Sequence, residues 1–285
     1  MELEKYSIGD LYNEIYSRKS NIVDLGKAKI AINPEGGGGV YHDLSIYKDF
    51  NDKLYESIYK TFNPQYVLDI GANIGLYSIC FKLAFPLAQL LIFEPNPTLT
   101  QNIEDNLTLN GLIDYQIFNK AIGNEISTID FQINEKFTVD SRCGGLENFK
   151  AIKIEQTTID DIEVLQNCKD FVFIKIDVQG YEDRVLKGGL RFFKKSKKFL
   201  LKLEFAPFWL LSQQTNPTDF LKSLIANFDV VEYNPMGYSS TDFDYLLKHT
   251  LKTSDVESFV AYCENLNRNK MGHLDLLLFP KDLQR

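Results

Sequence analysis

The stretch YVLDIGANIGLYS, residues 66–78, runs from an apolar segment through a glycine-rich turn into residues of helical pattern. From Tyr66 to Ile70 only Asp69 interrupts the apolar character, as expected of a strand covered on both faces. Gly71 and Gly75 bracket the turn, and residues 74–84 read as a helix leaving it. A strand, a glycine turn and a helix in this order open many parallel α/β sheets, whose ligands bind beyond the carboxyl ends of the strands.

The same alternation continues along the chain. AQLLIFEP (88–95) reads as a second strand, followed by a helix that Asn96 is placed to cap, with Pro97 in its first turn. Leu99, Ile103 and Leu107 share one face of that helix and Gly111 is placed to end it. DYQIFNKAI (114–122), FVFIKID (171–177), KFLLKLEF (198–205), FDVVEYN (228–234) and HLDLLLFP (273–280) read as the remaining strands. Strands alternating with helices predict an α/β, Rossmann-like domain over residues 61–285, with a mostly parallel seven-stranded sheet and helices on both faces. Two insertions interrupt it. Residues 124–157 hold STIDFQI and AIKIEQT, which predict a hairpin around the polar loop NEKFTVDSRCGGLENF, placed to serve as a lid. Residues 235–271 contain helical patches such as TDFDYLLKHTL. Residues 1–60 read as a helical N-terminal cap broken by a short strand, AKIAINP, and the loop EGGGGV.

Composition narrows the function classes. The 285 residues are 44% hydrophobic and 13% aromatic, enough for one large core with attachments. A net charge of −8 argues against wrapping nucleic acid or an anionic bilayer and favours a small-molecule or neutral glycan partner. The four cysteines, Cys80, Cys143, Cys168 and Cys263, form no CxxC pair, so neither a zinc site nor a disulfide framework is expected. The run YSICFKLAFPLAQLLIF (77–93) carries Lys82 and Pro86 and reads as helix, turn and strand rather than a membrane span. MELEKYSIGD has no apolar leader core, which makes the cytoplasm the expected location.

The turn chemistry separates two nucleotide ligands that use this strand–turn–helix unit. A nicotinamide dinucleotide calls for GxGxxG, in which the second glycine lets backbone approach the pyrophosphate. Here Gly71 is followed by Ala72, Asn73, Ile74 and Gly75, so Asn73 stands where that glycine would be. Asp69 precedes the turn, and an acidic residue there repels a pyrophosphate but suits the sulfonium and ammonium of S-adenosylmethionine. Glu94, at the carboxyl end of the second strand, is placed to accept both ribose hydroxyls. In FIKIDVQGYEDRVLKGG, Lys175 and Asp177 share one face of a buried strand, where ionisable groups are costly unless paired. Lys202 and Glu204 end the fifth strand similarly, so Asp177, Glu182 and Glu204 are expected to converge on one cleft.

DIGANIG, FEPNP and IKIDVQGYEDRVLKGG, in this order and spacing, resemble the FkbM-type methyltransferases, a branch of the Rossmann-like class I S-adenosylmethionine-dependent enzymes. The resemblance covers roughly residues 50–210 and the final strands. It implies O-methylation of hydroxyls on sugars, polyketides and related metabolites. By motif, Asp69, Gly71, Ala72, Asn73, Gly75, Glu94, Asn96 and Ala121 would hold the cofactor, and Asp177 would face its methionine end. Gln179 departs from the family, where Glu is more frequent.

An alcohol is a poor nucleophile until its proton is removed, so a base or a metal has to act. Asp177 and Glu204 are the candidate bases, with Lys175 holding the base in place, and His42 is a further candidate if the N-terminal cap covers the cleft. An acidic cluster of Asp177, Glu182 and Glu204 could instead bind a divalent cation, although no spacing demands one and no metal is expected. Each residue also has a purely structural reading: Lys175 with Asp177 as an ion pair, Glu182 as a charge favouring a helix N-terminus. Gly36 to Gly39 lack the Lys-Ser/Thr ending of a phosphate loop, and RFFKKSKK (191–198) reads as a solvated helix end. Asn234 and Pro235 follow the sixth strand, where an amino-directed NPPY-like motif would follow the fourth. The alternatives are an NAD-dependent nucleotide-sugar dehydrogenase or epimerase and a non-catalytic S-adenosylmethionine-binding module.

Overall fold

The computed structural model describes residues 22–24, 26–31, 53–134, 141–143, 150–233 and 242–284. A short antiparallel hairpin, β1 (Ile22–Asp24) and β2 (Lys29–Ala31), precedes α1 (Lys53–Phe62). The sequence then runs through β3 (Tyr66–Ile70), α2 (Leu76–Ala84), β4 (Gln89–Phe93), α3 (Thr100–Leu109) and β5 (Tyr115–Phe118). A second sheet follows, made of β6 (Ala121–Ile122), β7 (Ser127–Ile133), β8 (Arg142–Cys143) and β9 (Lys150–Thr157). The chain returns through α4 (Glu163–Gln166), β10 (Val172–Ile176), α5 (Glu182–Lys187), α6 (Leu190–Lys195) and β11 (Phe199–Phe205). It continues with α7 (Pro207–Ser212), α8 (Pro217–Asn227), β12 (Phe228–Tyr233), α9 (Phe243–Lys248), α10 (Val256–Asn265) and β13 (Leu274–Pro280).

The main sheet has seven strands in the order β12-β13-β11-β10-β3-β4-β5, with β13 antiparallel to both neighbours and the other pairings parallel. This is the expected Rossmann-like arrangement of a mostly parallel seven-stranded sheet. The chain leaves β3 toward β4 and β5 and later returns to β10 on the other side of β3. The reversal opens a crevice between the carboxyl ends of β3 and β10, where open α/β sheets bind ligands. Alternate residues along the strands enter two apolar layers. Leu68, Ile174 and Leu201 face one, and Val67, Phe173 and Leu200 face the other. Tyr55 and Ile58 of α1 join the second layer, with the Tyr55 ring edge-on to Phe81 and Phe173.

The hairpin expected in residues 124–157 forms: β7 and β9 pair antiparallel from Ser127↔Gln156 to Ile133↔Lys150. The polar loop between them contributes a further strand, β8, which pairs with β7. DYQIFNKAI is not one strand. Asn119 Nδ2 donates to the Glu94 and Pro95 carbonyls, and the chain then leaves the main sheet to pair β6 with β9. Asn96 does not cap α3. Its side chain accepts from the Thr98 N–H (3.1 Å) and hydroxyl (2.8 Å), an Asx turn that delays the helix to Thr100. Leu99, Ile103 and Leu107 are buried as one face. Gly111 N–H bonds to Thr108 O and Leu112 N–H to Leu107 O, the Schellman pair that ends α3.

Helix α3 also anchors the β1–β2 hairpin. Asn106 and Asn110 present their amides to the backbone of Ala31 and Lys29 as a strand would, and Asn106 Nδ2 also donates to Ile74 O in the glycine turn (2.8 Å). Most of the N-terminal cap, with His42 and the Gly36 to Gly39 run, lies outside the described residues, as do Asn234 and Pro235. No helix among the described residues is long and apolar enough to cross a membrane.

Candidate active site

Sheet register builds the site in two rows on one face. Asp69, Lys175 and Lys202 are side by side on β3, β10 and β11. Two residues further along, Gly71, Asp177 and Glu204 stand above them, with Asp275 of β13 opposite Glu204. The period of two along a strand puts both rows on the same side of the sheet. Lys175 Nζ lies 3.1 Å from Asp177 Oδ2 and 3.9 Å from Asp69 Oδ1, and Lys202 Nζ lies 3.0 Å from Asp275 Oδ2. Tyr77 of α2 covers this face. Its ring centroid is 4.2 Å from Lys175 Nζ and 4.4 Å from Lys202 Nζ, and its hydroxyl accepts from Lys202 at 3.1 Å.

These pairings set the protonation states. Burial disfavours the Lys175 ammonium, but Asp177 and Asp69 together hold its pKa above the ordinary lysine value. Burial likewise opposes ionisation of Asp177, yet the Lys175 charge and its hydrogen bond keep that carboxyl below the usual range. Asp69 is fully buried, and burial raises its pKa despite Lys175 and a 2.6 Å hydrogen bond from Ser78. Glu204 is pushed well above the usual carboxylate range, first by burial and then by the negative charge of Asp177, Glu182 and Asp275. Gln179 joins the two cleft carboxyls: its amide nitrogen donates to Asp177 Oδ1 (3.1 Å) and Glu204 Oε2 (3.3 Å). An amide can donate to both at once, which a carboxylate at that position could not.

The loop presenting Gln179 is tightly held. Gln179 and Gly180 have φ of 54° and 95°, and a Cβ on Gly180 would lie 2.2 Å from the Trp209 carbonyl oxygen. Glu182 braces the loop from beneath, with Oε1 accepting from the N–H groups of Val178 (3.0 Å) and Gly180 (3.2 Å). Burial pushes the Glu182 carboxyl up to about 7. Glu182 therefore does not enter the cleft as the sequence suggested. Among the described residues no three His, Cys, Asp or Glu side chains are grouped to hold a metal ion.

On the other side of the crevice, Gly71 has φ 85° and passes so close to β10 that a Cβ would lie 1.9 Å from the Asp177 carbonyl oxygen. Glu94 closes the turn: Oε2 accepts from Asn73 N–H and Oε1 from Asn96 N–H, each at 2.8 Å. Burial raises the Glu94 carboxyl to about 7. A cavity of about 290 Å³ runs between these elements. Gly71, Ala72, Asn73, Glu94 and Ala121 line it, with Lys175, Asp177 and Glu204 at its base. Asp69, Gly75 and Asn96, expected to hold the cofactor, do not line it. Asp69 and Asn96 are sealed behind the turn by Ser78 and Thr98, and Gly75 backs onto Ile103 of α3.

The site fits a cationic nucleoside. Asp177, Glu204 and Glu94 line the cavity, and Lys175 holds the Asp177 carboxylate ionised. The profile of the Methyltransferase FkbM domain matches residues 69–239, from the buried aspartate before the glycine turn to beyond β12. The chain belongs to the FkbM methyltransferase family. S-adenosylmethionine is accordingly its methyl donor, and the nicotinamide reading has no support.

Two relatives place this FkbM chain among methyltransferases. Methyltransferase sdnD of Sordaria araneosa is 28% identical, over 50% of this chain and 67% of its own length. The 2-O-methyltransferase NoeI of Sinorhizobium fredii is 26% identical, over 65% of this chain and 79% of its own. The solved FkbM methyltransferase of Methylobacillus flagellatus aligns with a TM-score of 0.45 and 13% identity, over 87% of this chain. The alignment spans 55% of that longer protein, just over half its length. Three cleft residues were not foreseen in the FkbM motifs. Tyr77 looked like a helix residue, Arg142 lay within a polar loop, and Trp209 followed the fifth strand. Arg142 is buried and stacks its guanidinium 4.0 Å from the Trp209 ring centroid. His273, with no signal beyond being a histidine, is exposed at the cleft rim.

Proposed function

We propose that this chain methylates a hydroxyl group of a saccharide, glycan or related small metabolite. The observation that carries the reading is the Asp177–Gln179–Glu204 bridge at the base of the cleft, two carboxyls held in opposite protonation states by their surroundings. Such a separation is how a site obtains one fixed charge and one group able to take up a proton. Asp177, ion-paired with Lys175, stays ionised and is a weak base. Glu204 has the raised affinity for protons that suits a general base, and we assign it that role in place of Asp177.

When bound, S-adenosylmethionine supplies a methyl carbon activated by a positive sulfonium. The residues that would hold it are those lining the cavity: the backbone of Gly71 to Asn73, Glu94, Ala121 and Asp177. Fixing donor and acceptor in line removes much of the entropic barrier. The Glu204 carboxylate would take the proton of the acceptor hydroxyl as that oxygen is methylated. Gln179 orients that carboxylate, and Lys175 and Asp177 keep the local charge balanced. The name 2-O-methyltransferase borne by a relative supports a hydroxyl acceptor.

The test is transfer from methyl-labelled S-adenosylmethionine into a panel of saccharides, glycosides and polyols, with the labelled position located by NMR. Label on a hydroxyl oxygen supports the proposal. Label found only on nitrogen or carbon acceptors overturns it, and donor binding with no transfer to any acceptor returns the non-catalytic reading.

A further inference from the structure

The cavity is small and its rim is apolar on one side. About 290 Å³ lies at the lower end of the roughly 300–1,000 Å³ usual for ligand sites. A bound nucleoside cofactor fills such a volume, so most of an acceptor must lie over the mouth. There the wall is Trp209 of α7 and Met271 of the segment before β13, both half-buried. Beyond them the apolar surface continues outward. Phe208 is 41% exposed, with its ring centroid 4.7 Å from that of Trp209. Leu211, 53% exposed, is three residues along the same helix and so shares the Phe208 face, while Pro207 and Leu210 turn into the core. Across the mouth, Leu266 is 48% exposed and its Cβ lies 3.0 Å from the position a Cβ would take on Gly272, next to Met271 and His273. The helices Pro207–Ser212 and Val256–Asn265 pack against each other, which brings the two sides of this rim together. Exposed apolar side chains flanking the mouth of a polar cleft are the kind of surface that binds an apolar group.

Resting on the hydroxyl-acceptor reading above, we propose that the acceptor is an amphiphile: its hydroxyl reaches Glu204 while an attached alkyl or aryl group lies across Trp209, Phe208, Leu211 and Leu266. Continuity of the rim with the catalytic cleft selects an acceptor substituent as the occupant over a separate protein partner.

The chain carries a single tryptophan, Trp209, so its fluorescence reports on this rim directly. Full-length protein saturated with S-adenosylhomocysteine is titrated, below micelle-forming concentrations, with methyl, hexyl and octyl β-D-glucopyranosides and with 1,2-butane-, hexane- and octanediols. We expect affinity to rise roughly two- to fourfold per added methylene in at least one series, with a blue shift of Trp209 emission. The double variant Phe208→Ser, Leu211→Ser changes exposed side chains only and should flatten that dependence while leaving S-adenosylhomocysteine affinity within about twofold. Affinity independent of chain length in both series, or an equal dependence in the double variant, overturns the inference. So does a change from dimer to monomer in that variant by sedimentation velocity, since the rim would then belong to a second copy of the chain. Methyl transfer to methyl glucoside as efficient as to octyl glucoside removes the amphiphile inference and leaves the hydroxyl reading intact. Chain-length-dependent binding with no methyl transfer to a hydroxyl in either series removes the hydroxyl reading and leaves the apolar rim as a binding surface.

Discussion

Replacing Glu182 with Gln should make the protein more stable at alkaline pH, although it removes a buried carboxyl that holds the Val178–Gly180 loop. Glu182 is 1% exposed, and its Oε1 accepts two backbone N–H groups. Burial raises its pKa from the ordinary 4.5 to about 7, a displacement worth about 3 kcal/mol. Because the folded-state pKa of this acid is raised, the folded chain keeps a proton that the unfolded chain has already lost. Stability from this group is therefore full below pH 4.5 and falls as pH climbs through 7. A glutamine keeps the accepting oxygen and has no proton to lose. It also places an NH₂ where Oε2 has no hydrogen-bond partner, a pH-independent cost of about 1–3 kcal/mol. Urea unfolding of wild type and Glu182→Gln at pH 5, 6, 7 and 8 separates these contributions. The difference in unfolding free energy should move in favour of the variant by about 2.5 kcal/mol between pH 5 and 8. In thermal scans this corresponds to roughly 4 °C for a chain of this size. A difference that stays constant with pH, or moves toward the wild type, would refute the claim that Glu182 is a buried acid strained by ionisation.

Glu204→Gln should lower methyl transfer about 10²- to 10⁴-fold with S-adenosylhomocysteine affinity nearly unchanged, and near-normal turnover would remove Glu204 as the base. In the wild type, the rate should rise with pH as the strongly raised Glu204 carboxyl ionises. Glu94, with its pKa near 7, must be ionised to accept both ribose hydroxyls, so calorimetric affinity for S-adenosylhomocysteine should tighten between pH 6 and 8 and lose that dependence in Glu94→Gln. An unchanged pH profile in that variant would separate Glu94 from the ribose. Gly71→Ala places a Cβ 1.9 Å from the Asp177 carbonyl oxygen at φ 85°, which should cost about 3 kcal/mol or more and abolish cofactor binding. Wild-type melting and affinity in Gly71→Ala would mean that β3 and β10 do not approach as described.

The alternation of buried strands with helices and the DIGANIG turn specify the seven-stranded sheet locally, because burial on both faces and the need for close backbone approach leave direct marks in residue type and spacing. Glu94 and Asp177 were legible for the same reason: each follows an apolar strand at the end where a parallel sheet opens. The period of two along β10 and β11 already placed Lys175 with Asp177 and Lys202 with Glu204. The neighbours those side chains would meet were not legible. Asp69 meets Ser78 and is sealed behind the turn, Asn96 satisfies Thr98 instead of capping a helix, and Glu182 turns back to its own loop, each choice set by the nearest available donor. Arg142 and Trp209 are far apart in the chain and come together only because β8 joins the inserted sheet and the Gln213 amide bonds to the Cys143 carbonyl at 2.6 Å. The sequence by itself determined the fold, the glycine turn and which strand ends carry charge, since these follow from local periodicity and backbone sterics. Tertiary structure alone decided which carboxyl keeps its proton and what forms the rim of the cleft, since both depend on distances between residues that the chain order does not bring together.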